Sequence, residues 1–210
     1  MRKNWRIVTA GGSLIMMTVC CNTGTFNNLV FQPLEFPFAN VEDIARMAAF
    51  GIPNWSGSEP HNGIDLVVNE HLESARLISP TAGVVTRIST NENPYSHPPG
   101  QLLVTIVIRI NNEWSVHLVL EPGTTDPALE AAQLAAILVS EGEVLEVGSP
   151  VADLLVGTLG YPHLHYMVEQ DGEAVCAYAH SSDAARAAFE NVSAFPGSSL
   201  PDGNICYGQP

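Results

Sequence analysis

Between residues 64 and 170 the chain alternates short runs of β-branched, aromatic and other apolar residues with Gly, Pro and Asn. Runs of this length that are bounded by turn-forming residues predict β-strands, and short connections favour antiparallel pairing. We predict seven strands, over residues 64–69, 82–89, 102–110, 114–120, 142–147, 150–155 and 163–170. The pattern therefore predicts a mainly β domain, built as an antiparallel sheet or a sandwich-like arrangement.

Three segments depart from this strand pattern. Residues 126–139 predict a short helical insert, because Asp126 and Pro127 suit an N-cap and first turn and residues of good helical propensity follow. A C-terminal helix is predicted over residues 182–191, and a short helical candidate over residues 41–50.

Composition divides the chain into four parts. Residues 21–49 are rich in Asn, Pro, Gly and Phe, and we interpret them as a tether. A folded domain is expected over residues 50–180, followed by a C-terminal helix and tail over residues 181–210. Residues 1–20 form a separate leader.

The charged residues of the chain are few and mostly acidic. Lys and Arg total 8 against 22 Asp and Glu, and only five of the basic residues, all arginines, follow residue 6. Proteins that bind nucleic acid neutralise its phosphates with clustered Lys and Arg, which this chain does not have. We therefore expect no nucleic-acid partner.

The leader has the arrangement of an export signal. Basic residues among the first six precede an apolar stretch, residues 7–19, that ends at Cys20 and Cys21. The stretch is short for a membrane-spanning helix, which needs about 20 residues. A cysteine at this place resembles the lipidation site of bacterial lipoproteins, which predicts lipidation at Cys20 or Cys21 and a lipid anchor in the membrane. An ordinary cleaved secretion signal is the alternative. We expect an exported protein of the bacterial cell envelope that faces the periplasm or the exterior.

Cys176 and Cys206 are the cysteines that remain after the leader. An even pair in an exported chain predicts a disulfide bond, with two unrelated thiols as the alternative. Closing a loop of about 30 residues would stabilise the fold by roughly 3 to 4 kcal/mol. The bond would tie the C-terminal tail to the domain.

One histidine motif could bind a metal ion only if the chain bends. His61 and Asp65 would lie about 13 Å apart on a continuous strand, which is too far for one ion. Pro60 and Gly63 could supply the bend, since Gly accepts backbone angles closed to other residues. Asp before a strand also forms turns, and that alternative stays open.

A second motif places two histidines on one face of a predicted strand. His163 and His165 are two residues apart, so their side chains point the same way. This suits a pair of metal ligands, and an exposed strand face with two polar side chains is the alternative. His117 falls on the more polar side of another predicted strand.

In this order, the residues resemble the motifs of the lysostaphin and LytM type of zinc endopeptidase, a family that cuts peptide bonds in bacterial cell-wall peptidoglycan. The family's H-x-x-x-D motif stands here as His61-Asn-Gly-Ile-Asp65, and its H-x-H motif as His163-Leu-His165. Its intervening histidine stands as His117 in Ser-Val-His-Leu. The resemblance covers residues 50 to 178.

The resemblance implies a LytM-type domain, which is a duplicated hybrid motif of antiparallel strands, with one Zn²⁺ ion. It implies that His61, Asp65 and His165 are the zinc ligands and that His117 and His163 are unligated catalytic imidazoles. Three protein ligands leave the fourth tetrahedral position open, as in catalytic zinc sites. The expected activity is hydrolysis of stem or crosslink peptides of peptidoglycan.

Two alternatives to this function remain. The chain could be a noncatalytic LytM-like module that binds peptidoglycan or activates an amidase, or an exported protease with a protein substrate. The chain contains no His-Glu-x-x-His sequence, so the zinc protease mechanism that uses the Glu of that motif does not apply.

Overall fold

The computed structural model describes residues 29–53, 59–194 and 204–208. The described residues form a mainly β fold with two α-helices, as the sequence predicts. The strands are β1 (Ile44–Ala48), β2 (Ile64–Val68), β3 (Ser74–Ile78), β4 (Gly83–Glu92), β5 (Leu102–Arg109), β6 (Trp114–Glu121), β7 (Val144–Leu145), β8 (Pro150–Leu155), β9 (His163–Gln170) and β10 (Glu173–Val175). The helices are α1 (Pro127–Ala135) and α2 (Asp183–Asn191).

The strands make one large sheet and one small sheet. Within each sheet, every pair of neighbouring strands is antiparallel. The large sheet has eight strands in the order β1-β2-β9-β6-β5-β4-β7, with β10 pairing the end of β9, and the small sheet pairs β3 with β8. Strands β2, β9 and β6 are thus neighbours, although the first and the second are far apart in sequence. The residues of the predicted site lie on these three strands or just before them.

Strand β9 separates core residues from polar residues by simple alternation. Leu164, Tyr166 and Val168 are fully buried on one face. His163 and His165 lie on the other face and are partly exposed. The core side of the sheet therefore holds the strand rigidly and leaves both imidazoles free to face a cleft.

Two of the three predicted helices are present, and each has a side-chain N-cap. The Asp126 carboxylate accepts from the Ala128 N–H at 3.0 Å, and the Ser182 hydroxyl accepts from the Ala185 N–H at 3.1 Å. Helix α1 is shorter than the predicted insert over residues 126–139. It ends at Ala135 because the chain then turns to pair with β8.

Residues 29–49, which the composition assigns to a tether, pack against the domain. Leu34 and Phe38 are buried, and β1 pairs with β2. The helix predicted over residues 41–50 is wrong, since a single 3-10 turn at Val41–Asp43 is followed by β1. The local pattern suits a helix, but main-chain pairing with the edge of β2 outweighs that propensity.

Cys176 and Cys206 form a disulfide bond with a Cα–Cα distance of 5.6 Å, as predicted. The bond holds the tail at the edge of the domain, where the Phe50 N–H donates to the Ile205 carbonyl at 3.1 Å and the Tyr207 N–H to the Phe50 carbonyl at 2.9 Å. The predicted export signal, Cys20 and Cys21 lie outside the described residues.

Within the described ranges, no helix combines the length and the apolar character that crossing a membrane requires.

Candidate metal centre

The two strands that carry Asp65 and His165 are paired in the register that brings these residues together. Asp65 on β2 is the direct partner of His165 on β9. His165 Nδ1 lies 2.8 Å from Asp65 Oδ1. The sheet therefore unites two residues that are 100 positions apart in the sequence.

His61 joins them from the loop before β2, where the main chain holds it on both sides. Its N–H donates to the Ile52 carbonyl at 2.8 Å, and its carbonyl accepts from the Gly51 N–H at 2.7 Å. Its ring Nδ1–H donates to the Ala49 carbonyl at 2.8 Å. This bond leaves Nε2 as the nitrogen with a lone pair, aimed at Asp65 and His165.

Three acceptor atoms therefore converge at one place. His61 Nε2 lies 3.1 Å from Asp65 Oδ1 and 3.2 Å from His165 Nδ1. A tetrahedral zinc ion with bonds of 2.0–2.1 Å holds its ligand atoms about 3.3 Å apart. The three atoms already have nearly this spacing. A bound cation would accept lone pairs from both imidazoles and from the carboxylate at once. The three residues thus fit a zinc ion.

Gly63 allows the His165 ring to approach the loop. A Cβ at this position would lie 2.6 Å from both Cε1 and Nε2 of His165 and 3.0 Å from the Tyr166 carbonyl oxygen. The sequence argument for Gly63 invoked unusual backbone angles, but its φ is not positive. The glycine is instead required because no side chain fits between the loop and the ring.

His163 stands next to this cluster. Its Nδ1–H donates to the Tyr161 carbonyl at 2.7 Å, and its Nε2 lies 3.8 Å from Asp65 Oδ1 and 3.5 Å from Glu121 Oε1. Burial disfavours the charged ring, but the negative charges of Asp65 and Glu121 outweigh burial and raise the pKa of His163 to about 10.

The charged groups of the cluster also shift the pKa values of Asp65 and His61. Burial alone would raise the pKa of Asp65. In the metal-free protein, the charge of His163 and hydrogen bonds from His165 and His61, when their facing nitrogens carry protons, hold that pKa well below its usual range. Burial would lower the pKa of His61, but its hydrogen bond and charge interaction with Asp65 raise it. The carboxylates therefore favour positive charge on the His61 and His163 rings.

His117 lies on the same face of the sheet as His163 but farther along the strands. Its direct partner on β9 is Met167, and its Nε2 contacts Ser115 Oγ at 3.1 Å and Glu169 Oε2 at 3.2 Å. Burial, together with the charge of Arg87, lowers the pKa of His117 although the Glu169 carboxylate acts to raise it. His117 is not among the residues that line the cleft of His163.

Sequence reasoning missed Glu121, which is the direct partner of His163 across β6 and β9. The signal was present, because residues 115, 117, 119 and 121 alternate onto one face of β6 and the last of them ends the strand. Which of the four meets His163 depends on the register of the two strands. Sequence alone does not give that register.

The cluster opens into a cleft of about 540 Å³. Tyr95 and His97 border it from the loop after β4, Tyr161 from the loop before β9, and Leu103 and Met167 from the sheet. Among the described residues that line this cleft there is no Lys or Arg. The lining therefore offers a ligand mainly apolar and aromatic contacts beside the cluster.

No protein-family model matches the chain, and no curated protein matches it. Among solved structures it is similar to a zinc-containing peptidase from Vibrio cholerae, with 21% identity and a TM-score of 0.49 over 72% of this chain and 40% of that one. It is also similar to Csd3 from Helicobacter pylori, with 18% identity and a TM-score of 0.43 over 72% of this chain and 35% of that one. The chain thus spans well under half the length of both neighbours.

Proposed function

We propose that this protein is an exported zinc-dependent endopeptidase that hydrolyses peptide bonds of bacterial cell-wall peptidoglycan. One observation carries the proposal: the acceptor atoms of His61, Asp65 and His165 all lie within 3.2 Å of one another at the floor of a cleft. A further imidazole, that of His163, borders the same cleft.

The proposed zinc ligands are His61 Nε2, Asp65 Oδ1 and His165 Nδ1. Two imidazoles and one carboxylate, with a fourth position left open, are a ligand set typical of catalytic zinc. Zinc in such a site supplies a Lewis acid for the peptide carbonyl and activates water near neutral pH. The chain's own contribution is a fixed geometry, since the Ala49 carbonyl orients one ring and the β2–β9 register aligns the other two groups.

His163 is the proposed proton-transfer residue. Because its Nδ1–H is donated to Tyr161, only Nε2 can exchange a proton with molecules in the cleft. A cation bound at Asp65 would offset part of the negative charge that raises the pKa of His163. Nε2 would then accept a proton from the attacking water and deliver it to the amine that leaves the cleaved peptide bond. A positioned acid–base group of this kind accelerates hydrolysis by about 10²- to 10⁴-fold.

Peptidoglycan as the substrate rests on the resemblance of the three histidine motifs to the lysostaphin and LytM family. The disulfide bond supports export, because such bonds persist outside the reducing cytoplasm. We propose stem or crosslink peptides as the partners and the cell envelope as the location. A lipid anchor at Cys20 or Cys21 would hold the enzyme at the membrane.

Elemental analysis combined with peptide hydrolysis tests this function. The purified protein should hold one zinc per chain and cleave defined crosslinked muropeptides, with the products identified by mass spectrometry. His61→Ala and Asp65→Ala should lose zinc and activity together, whereas His163→Ala should keep zinc and lose hydrolysis. His71→Ala is the matched control, because His71 is exposed in a turn and should retain both properties.

Each alternative gives a different outcome. Full zinc retention in both His61→Ala and Asp65→Ala would reject the ligand assignment. Zinc binding with muropeptide binding but no cleavage would indicate a noncatalytic module. Cleavage of an unfolded protein such as casein, with muropeptides left intact, would indicate a protease with a protein substrate.

A further inference from the structure

A carboxylate that none of the motifs includes stands beside the proposed proton-transfer residue. Glu121 is the last residue of β6 and the direct partner of His163 on β9. Its Oε1 lies 3.5 Å from His163 Nε2, and Glu121 lines the same cleft. The ionisable side chain that β6 places opposite His163 is therefore the Glu121 carboxylate and not the His117 imidazole.

We infer that Glu121 is the positioning residue that holds the His163 ring beside the metal cluster. The inference rests on the proposed function, since it concerns how His163 is held for proton transfer. Its basis is geometric and consists of the strand register, the contacts of the carboxylate and the surrounding main chain.

The Glu121 carboxylate is itself held by Asn93, which directly follows β4. Its Oε2 accepts a hydrogen bond from Asn93 Nδ2, which leaves Oε1 to face the ring. Asn93 is buried, its Oδ1 accepts from the Tyr95 N–H at 2.9 Å, and its N–H donates to the Gln101 carbonyl at 2.8 Å. The acid is thus anchored by a buried amide that is fixed in turn by its own loop.

The main chain links the two groups that hold the ring. Directly after Glu121, the Pro122 carbonyl accepts from the Gly157 N–H at 2.7 Å, and the Gly123 carbonyl accepts from the Leu159 N–H at 2.9 Å. This tied loop continues to Tyr161, whose carbonyl accepts from His163 Nδ1–H. Nδ1 of the His163 ring therefore faces this loop, and Nε2 faces the Glu121 carboxylate, which directly precedes Pro122.

The position of His117 supports the same inference. It lies four residues before Glu121 on one strand, which corresponds to about 13 Å along the sheet. Its Nε2 is already engaged by Ser115 and Glu169. For His117 to replace Glu121 beside His163, β6 would have to slide by four residues against β9, which would break the register of the sheet.

Four variants of the zinc-loaded protein test the inference. Glu121→Gln removes the charge and keeps the shape, and Glu121→Asp keeps the charge on a shorter side chain. Glu92→Gln is the matched control, because Glu92 is an exposed carboxylate at the end of β4. His117→Asn tests the competing assignment. The measurements are zinc content, kcat and KM on one muropeptide, and the nitrogen NMR signals of the histidine rings.

For Glu121→Gln we expect kcat to fall by about 10- to 100-fold, as is typical for residues that orient groups of a metal site, with zinc content and KM unchanged. The Nε2 signal of His163 should shift while the signals of His61 and His165 stay in place. Glu121→Asp should recover part of kcat, and His117→Asn should lose less than Glu121→Gln.

An unshifted His163 signal in Glu121→Gln, or a larger loss of kcat in His117→Asn than in Glu121→Gln, would overturn the inference. If the wild-type protein binds zinc but cleaves no muropeptide, the proposed function fails while the NMR comparison still decides whether Glu121 holds His163. If Glu121→Gln does not fold, the same shift is measured in Glu121→Asp.

Discussion

His61 Nε2 and His165 Nδ1 lie 3.2 Å apart although 104 positions separate the two residues in the chain. The contact depends on the glycine two positions after His61, since a Cβ there would overlap the His165 ring. The spacing of the metal cluster is therefore set by a missing side chain as well as by its ligands.

Gly63→Ala should weaken zinc binding by about tenfold or more, because the new methyl group displaces the His165 ring from its place opposite Asp65. Competition with a chromogenic zinc chelator measures the change. Asn62→Ala is the control, since Asn62 is exposed and adjacent and should bind zinc as the wild type does. Equal affinity in Gly63→Ala would show that the ring does not need this space.

The metal-free protein should lose stability as the pH rises from about 6.5 to about 10. His163 has its pKa raised from 6.5 to about 10 by the carboxylates of Asp65 and Glu121, against the effect of burial. A raised pKa stabilises the fold fully below the unfolded value, and that contribution disappears as the pH passes the folded value. Urea denaturation in the presence of a chelator, at several pH values, gives the free energy of unfolding.

His163→Asn is the control for this pH dependence. Without the titrating ring, the fall in stability between these pH values should be clearly smaller. A variant whose unfolding free energy falls as steeply as that of the wild type would mean that another group causes the effect.

Removing the disulfide bond should lower the free energy of unfolding by about 3 to 4 kcal/mol, because the bond closes a loop of about 30 residues in the unfolded chain. The Cys176→Ala, Cys206→Ala double variant and the reduced wild type should show the same loss in guanidinium denaturation. Adding reductant to the double variant should change nothing. Equal stability of oxidised and reduced wild type would contradict the prediction.

Tyr166→Phe should raise the free energy of unfolding by about 1 kcal/mol or more. The Tyr166 hydroxyl is buried and has no hydrogen-bond partner among the described residues. Folding therefore costs this hydroxyl its hydrogen bonds to water without replacing them, and the phenylalanine variant avoids that cost. Thermal and urea unfolding measure the gain. Tyr178→Phe is the matched control, since the Tyr178 hydroxyl donates to Glu190 at 2.5 Å and its loss should not stabilise the protein.

Residues whose role depends on local periodicity were predicted well. Alternation along β9 correctly placed His163 and His165 on one face, and the N-cap at Asp126 correctly located α1. The wrong helix prediction over residues 41–50 has a non-local cause. The segment that forms β1 becomes a strand only because it pairs with β2, a separate part of the chain. Local propensity carries no information about such a distant partner.

The amino-acid sequence by itself determined the mainly β fold and the faces of the strands, because these follow from a period of two within each short run. Only the tertiary structure decided which residues meet at the cleft. Alternation places His117 and Glu121 on the same face of β6, and the register of β6 against β9 brings Glu121, and not His117, opposite His163. Register depends on the packing of the whole sheet, so it emerges only when the chain is folded.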